Sequence, residues 1–180
     1  MERTIRTIGH GTRPVEEFMG LLKQGGVRRL VDVRSSPGSR RNPQFGSEAL
    51  EAELEAAGIE YVWRKDLGGF RKPRPDSPHV ALRNSGFRGY ADYMERAEFR
   101  GALEWLTSSS IRTPMAIMCA ETVWWRCHRR MISDALLAGS WEIVHILGPG
   151  MPTTHQLHPA VRIDAGRLIY DVGGQAELSV

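Results

Sequence analysis

Five short apolar runs, TIRTI, RRLVDV, IEYVW, PMAIMC and WEIVHIL, are separated by stretches with helical periodicity. That alternation admits few arrangements. A chain in which strands and amphipathic helices take turns is expected to form an α/β fold, with a mostly parallel central sheet of about five strands flanked by helices. The first run, residues 4–8, leads to Gly9 and His10, and Thr12 and Pro14 open a helix that turns Val15, Phe18, Leu21 and Leu22 to one side. Glu16 and Glu17 suit that helix's first turn, and Gly25-Gly26 stops it. After RRLVDV comes the arginine-rich loop RSSPGSRRNPQF, and Ser47 is expected to cap a second helix with Leu50, Leu54 and Ala57 inward and Gly58 at its end.

Residues 64–88 hold little periodicity and several prolines and glycines, which reads as a long loop. Helical patterning resumes at Tyr90, Tyr93 and Met94 and again at Phe99, Ala102, Leu103 and Leu106. CHRRMISDALLA is expected to be a helix between the last two sheet strands, and VRIDAGRLIYDV a small C-terminal hairpin turning at Asp164 to Gly166. With no internal repeat and no linker, residues 1–180 are read as a single domain.

Ligands of such sheets bind beyond the carboxyl ends of the strands. Here those ends feed into His10, the loop after Asp32, the loop after Trp63 and the loop after Cys119. The charge pattern points to the same edge. Lys23, Lys65 and Lys72 are the lysines, so arginine supplies nearly all of the 24 basic side chains, and the net charge is +3. The stretch from Arg34 to Phe45 carries Arg34, Arg40 and Arg41 and no acid, and residues 64–75 carry Arg64, Lys65, Arg71, Lys72 and Arg74 against Asp66. Many acids lie instead on helices, as in EALEAELEAAG. Arginine binds phosphate in bidentate fashion, and the aromatics of these loops, Phe45, Phe70, Phe87, Trp124 and Trp125, suit base stacking. A solvated, functionless rim is the plain alternative.

No apolar run approaches membrane-spanning length and the start lacks a signal peptide's apolar stretch, so no membrane partner and a cytoplasmic location are expected. In that compartment a disulfide between Cys119 and Cys127 is not expected.

The stretch IMCAETVWWRCHRR gathers both cysteines, Glu121, His128 and three arginines. A thiol beside Arg126, His128 and Arg129 at the start of a helix can act as a nucleophile, and a buried, inert thiol at a strand end is the alternative. Cys119, Cys127, His128 and His10 are also candidate zinc ligands. However, neighbours on a helix point about 100° apart, and the close Cys-x-x-Cys pairing is missing, so no metal and no cofactor are expected. Asp32, interrupting LVDV, is a buried carboxylate that is either paired with Arg34 or catalytic. Glu121, among arginines, can orient them or activate a water.

VDVR followed by strand, Cys, loop, Arg, helix, strand and GPG resembles the rhodanese pattern, in which a loop cysteine carries sulfur. The departures are an arginine seven residues after Cys119 and a loop, AETVWWR, with bulky side chains and an acid. A fuller likeness covers nearly the whole chain, from residue 7 to the tail LHPAVRIDAGRLIY. TIGHGTR, VDVRSSPGSRRNPQF, DLGG with FRKPRPDSP, FRGYADYM and CAE…CHR together resemble the bacterial domain of unknown function 488 family. The family's Cys-Ala-Glu, five residues, then Cys-His-Arg falls on Cys119, Ala120, Glu121, Cys127, His128 and Arg129. Gly11 stands where serine commonly follows the histidine. The resemblance implies a compact α/β domain with these motifs at one site. It implies no reaction.

The sequence reading is therefore an enzyme acting on a phosphate-bearing substrate, with nucleic acid or a nucleotide as the expected partner. One version is base excision in DNA repair, with a carboxylate positioning water for hydrolysis of the glycosidic bond. Asp32, Glu121, Cys119 and His10 are the catalytic candidates. Arg34, Arg40, Arg41, Arg71, Lys72 and Arg129 would hold phosphates, and Phe45, Trp124 or Trp125 would stack on a base. The matched motifs add Asn42, Gly68, Gly69, Tyr90, Cys127 and His128 to the substrate-binding set. The alternatives are rhodanese-like sulfur transfer or other thiol chemistry at Cys119, and a non-catalytic nucleic-acid-binding module.

Overall fold

The computed structural model describes residues 3–38 and 40–172. The expected single domain over 1–180 extends over residues 1, 2, 39 and 173–180, which lie outside the described residues. Six strands form the central sheet: β1 (Thr4–Gly9), β2 (Arg29–Asp32), β3 (Glu60–Trp63), β4 (Met115–Cys119), β5 (Glu142–Ile146) and β6 (Pro152–Thr154). Their order is β3-β2-β4-β1-β5-β6, parallel except for β6, which runs antiparallel along β5. β6 is the strand that the sequence did not announce. Its residues PTT are all exposed and alternate with nothing apolar, so the pairing comes from the edge of β5. A separate hairpin, β7 (Val161–Asp164) and β8 (Arg167–Tyr170), turns at Ala165 and Gly166, both at positive φ.

The apolar runs of β1 and β4 are almost wholly buried, as expected of parallel strands covered on both faces. On one face lie α1 (Val15–Gln24) and α2 (Ser47–Ala56). Their Phe18, Leu22, Leu50 and Leu54 pack with Ile8, Leu30, Ala116 and Met118. On the other face lie α3 (Ser85–Met94), α4 (Ala97–Ser110) and α5 (Arg129–Ala138). There Tyr90, Phe99, Leu106, Ile132 and Leu136 pack with Ile5, Val31, Met115, Ile117 and Ile143.

Helix starts differ from the sequence expectation in three places. Gly46, not Ser47, is the residue before α2, and no side chain caps that end. α3 begins inside the stretch read as loop, because Asn84 Oδ1 accepts the free N–H groups of Gly86 and Phe87 at 2.9 and 3.2 Å. α5 begins at Arg129, leaving Cys127 extended at φ −128° and ψ 151°. That last difference matters for the site.

The topology creates a crevice. From β1 the chain crosses through α1 to β2, two places away toward one edge. From β4 it crosses through α5 to β5 on the opposite side. The loops that leave the neighbouring strands β1 and β4 therefore diverge to opposite faces, which is the switch point where open α/β sheets bind ligands. Gly9 pairs with Cys119 in register at that point. A Cβ on Gly9 would run into the backbone of Glu121 and Thr122, so glycine is what lets the two strand ends stay this close. The amides of His10 and Gly11 donate to Cys119 and Ala120 carbonyls at 3.1 and 2.9 Å, continuing the ladder into the loop.

Candidate functional site

At the end of β2 a buried ion pair sets the first wall. Asp32 is fully buried. Arg34 Nε donates to its Oδ1 at 2.9 Å and Arg34 Nη2 to its Oδ2 at 2.6 Å. The Arg34 amide adds a bond to Oδ1 at 3.0 Å, and Tyr61 donates to Oδ2 at 2.7 Å. Burial and the neighbouring Asp32 charge push the Tyr61 hydroxyl pKa up, so it stays a donor. Both carboxylate oxygens are thus engaged, and Asp32 does not line the cleft described below. Arg34 also donates to the Phe45 carbonyl at 2.8 Å and reaches His10 Nε2 at 3.3 Å. His10 Nδ1 lies 2.8 Å from the Gly11 carbonyl, which can only accept, so Nδ1 carries the proton and Nε2 the lone pair. Burial lowers the His10 pKa, and the neutral ring stacks on Phe45 at 4.3 Å.

The second wall comes from β4 and the turn before α5. Cys119 ends the strand half-buried, while extended Cys127 and the adjacent His128 turn inward to meet it. The two sulfurs and an imidazole nitrogen of His128 lie within 4.8 Å of one another. The helical geometry that argues against a shared centre is absent, because Cys127 precedes the helix. His128 Nε2 donates to the Val33 carbonyl at 3.0 Å, which fixes the ring and leaves Nδ1 facing Cys127 Sγ at 3.6 Å. Gly69 packs against the other side of this ring, where a Cβ would sit 3.0 Å from Nδ1. The Arg129 amide, at the start of α5, points at Cys127 Sγ from 3.5 Å.

These neighbours divide the two thiols. Burial works against a charged Cys127, but the hydrogen bond from Cys119 together with His128 and Arg129 outweighs it and brings the Cys127 pKa well below that of a free thiol. The neighbouring Cys127, and then partial burial, push the Cys119 thiol well up.

Arg129 is 1% exposed. Its guanidinium donates to Thr7 Oγ1 at 3.3 Å and to the backbone carbonyls of Glu121 and Thr122. It ties down the loop that carries Cys119 and Glu121. Behind it runs a buried polar chain. Thr7 Oγ1 meets His145 Nδ1 at 2.7 Å, His145 Nε2 meets His155 Nδ1 at 3.0 Å, and His155 Nε2 meets Asp134 at 2.9 Å. Asp134 also accepts from the Tyr170 hydroxyl and the His158 amide, at 2.8 and 3.0 Å. This network had no signal in the sequence, since its members are scattered from residue 7 to residue 170.

Between the two walls opens a cleft of about 560 Å³. Of the expected site residues, His10, Arg34, Gly69, Tyr90, Cys119, Glu121, Cys127 and His128 line it. Ser35, Ser36, Gly38, Phe70, Asn84, Gly86, Phe87, Ala120 and Arg126 complete the lining without having been chosen as site residues. The loop aromatics Phe70 and Phe87 were visible as a pattern. The serines and Asn84 were not. The other expected residues do not line the cleft. Arg129 and Phe45 are buried beneath it, and Gly68 is packed behind Ser35. Trp124 is stacked on His145 at 4.1 Å and an interplanar angle of 7°, so one of its faces is already taken, and it does not line the cleft. Arg71 lies over the Tyr93 ring at 4.1 Å and, with Lys72, borders a separate depression that also holds Asp92 and Glu95. Arg40 and Arg41 are exposed, and Asn42, Trp125, Arg40 and Arg41 all fall outside the lining.

The fold and this site define an α/β protein of the doubly wound type, with a sulfur and imidazole cluster at the switch point of its sheet. Residues 14–136 match the family described as Domain of unknown function DUF488, and the chain belongs to that family. No curated protein and no solved structure matches it. No helix among the described residues is long and apolar enough to cross a membrane.

Proposed function

We propose that the protein is an enzyme whose reaction centre is the Cys119, Cys127 and His128 cluster at the floor of the cleft. The observation that carries this reading is the convergence of two sulfurs and an oriented imidazole within 4.8 Å, at the edge of the sheet where ligands bind. It favours chemistry at this cluster over phosphate recognition. Of the six cations expected to hold phosphates, Arg34 is committed to Asp32, Arg71 lies over Tyr93 and Arg129 is buried. Alkylation kinetics on chelator-treated protein test the reading. Rapid modification of one thiol near neutral pH, lost in Cys127→Ser, is the expected result. Two thiols as slow as in an unfolded peptide would overturn it.

A nucleotide-bearing substrate remains the second reading, and one observation favours it. The cleft is of nucleoside size and is lined by Phe70, 95% exposed, with Phe87 and exposed Arg126. Fluorescence anisotropy with labelled single- and double-stranded DNA across salt concentrations tests this. Salt-sensitive binding weakened by Phe70→Ala is expected, and no binding at low salt would sink it.

A further inference from the structure

We propose that Cys119, Cys127 and His128 form a zinc(II) site with three protein ligands and a fourth position open to the cleft. The inference rests on the reading that this cluster is the reaction centre, and names what the cluster holds. Zinc bound tetrahedrally, with Zn–S of about 2.3 Å and Zn–N of about 2.05 Å, requires an S···N edge of about 3.6 Å and an S···S edge of about 3.8 Å. Cys127 Sγ and His128 Nδ1 are 3.6 Å apart, and all three ligand atoms fall within 4.8 Å. The ligand set needs only a small closing movement of Cys119.

Three further features are those that metal ligands show. His128 donates its other ring nitrogen to a backbone carbonyl, Val33 O at 3.0 Å, which fixes Nδ1 as the ligating atom. Cys127 Sγ receives a backbone N–H from Arg129, the bond that commonly steadies a coordinating sulfur. All three residues line the cleft, so a metal between them faces substrate and not the core.

Charge supports the same assignment. The Arg129 guanidinium is buried, and no carboxylate among the described residues bonds to it. A buried cation requires a nearby anion. Zinc with two thiolates and one imidazole is neutral, and with a bound hydroxide it carries one negative charge, which Arg129 balances. Glu121 is the carboxylate among the lining residues, and it is the group that would take a proton from a zinc-bound water. The hydroxide oxygen would then bond to an electrophilic carbon of the substrate. The bond to the leaving group would break, and the leaving group would depart with the proton returned from Glu121. The net reaction is hydrolysis.

The test is a titration of chelator-treated full-length protein with cobalt(II), followed by zinc(II) competition and alkylation of the loaded and metal-free forms. The expected result is one equivalent of cobalt with thiolate charge-transfer absorbance, displaced by zinc, and both cysteines protected from alkylation in the loaded form. Cys119→Ser, Cys127→Ser and His128→Gln should each weaken binding at least tenfold, in samples whose circular dichroism matches the parent. Cobalt bound without thiolate charge transfer would overturn the inference. So would the lack of stoichiometric binding, whatever the variants do. If metal fails to bind while Cys127 alkylates rapidly with or without zinc, the zinc site falls and the sulfur reaction centre stands. If metal fails to bind and neither thiol reacts, both fall.

Discussion

Lowering the pH from about 7.5 to about 5 should destabilise this protein by about 4 kcal/mol, through two buried histidines. His145 lies between Thr7 and His155 with Trp124 stacked on its face, and its pKa is pushed down to about 3 by burial, then by His155 and Arg129. His158 accepts the Ala160 amide on Nδ1, and burial and then Arg130 push its pKa down to about 4, against the pull of Asp134. Both rings are held neutral in the native state, whereas in the unfolded chain they protonate near 6.5. Below that value the unfolded state binds more protons than the folded one, so stability falls with falling pH until the folded values are reached. Each ring contributes about 1.4 kcal/mol per pH unit, hence about 2 kcal/mol across the 1.5 units from 6.5 to 5. Burial lowers His10 and His79 as well, which acts in the same direction. For a chain of this length, about 4 kcal/mol corresponds to a melting temperature lower by roughly 8 to 16 °C. Thermal unfolding followed by circular dichroism at constant ionic strength measures it, and the imidazole proton resonances of His145 and His158 should not titrate above pH 5. A melting temperature constant within about 3 °C over this range would refute the reasoning.

Two substitutions probe the frame of the cleft. Asp32→Ala strands the Arg34 guanidinium and the Tyr61 hydroxyl in the interior and should cost about 3 to 5 kcal/mol, read as a lower urea midpoint with unchanged slope. Gly9→Ala drives a methyl group into the Glu121 backbone and should cost about 1 to 3 kcal/mol while pushing the Cys119 loop outward. Its second signature is faster alkylation of Cys119, a change that simple destabilisation away from the site would not produce.

The fold class was legible because apolar runs buried on both faces and amphipathic helices leave a periodic trace. The alternation from TIRTI to WEIVHIL marks all five parallel strands and the helices between them. β6 was not legible, since an exposed edge strand held by backbone hydrogen bonds needs no apolar pattern. The Asp32 and Arg34 pair was foreseeable from spacing, because residues two apart on an extended chain face the same side. That the pair uses up the arginine was not.

What the sequence determined by itself is which elements form and which loops meet at the carboxyl edge of the sheet, because period and strand order in the chain are local properties. It also brought Cys119, Cys127 and His128 into one short stretch. Whether these three converge depended on one backbone conformation, the extended Cys127 ahead of α5, and on the Val33 carbonyl from another strand's end. Which arginines are available for a ligand and which are spent on internal partners was likewise settled only by packing. A guanidinium is bound by whatever acceptor or ring the fold brings within reach, and those partners come from residues far away in the chain.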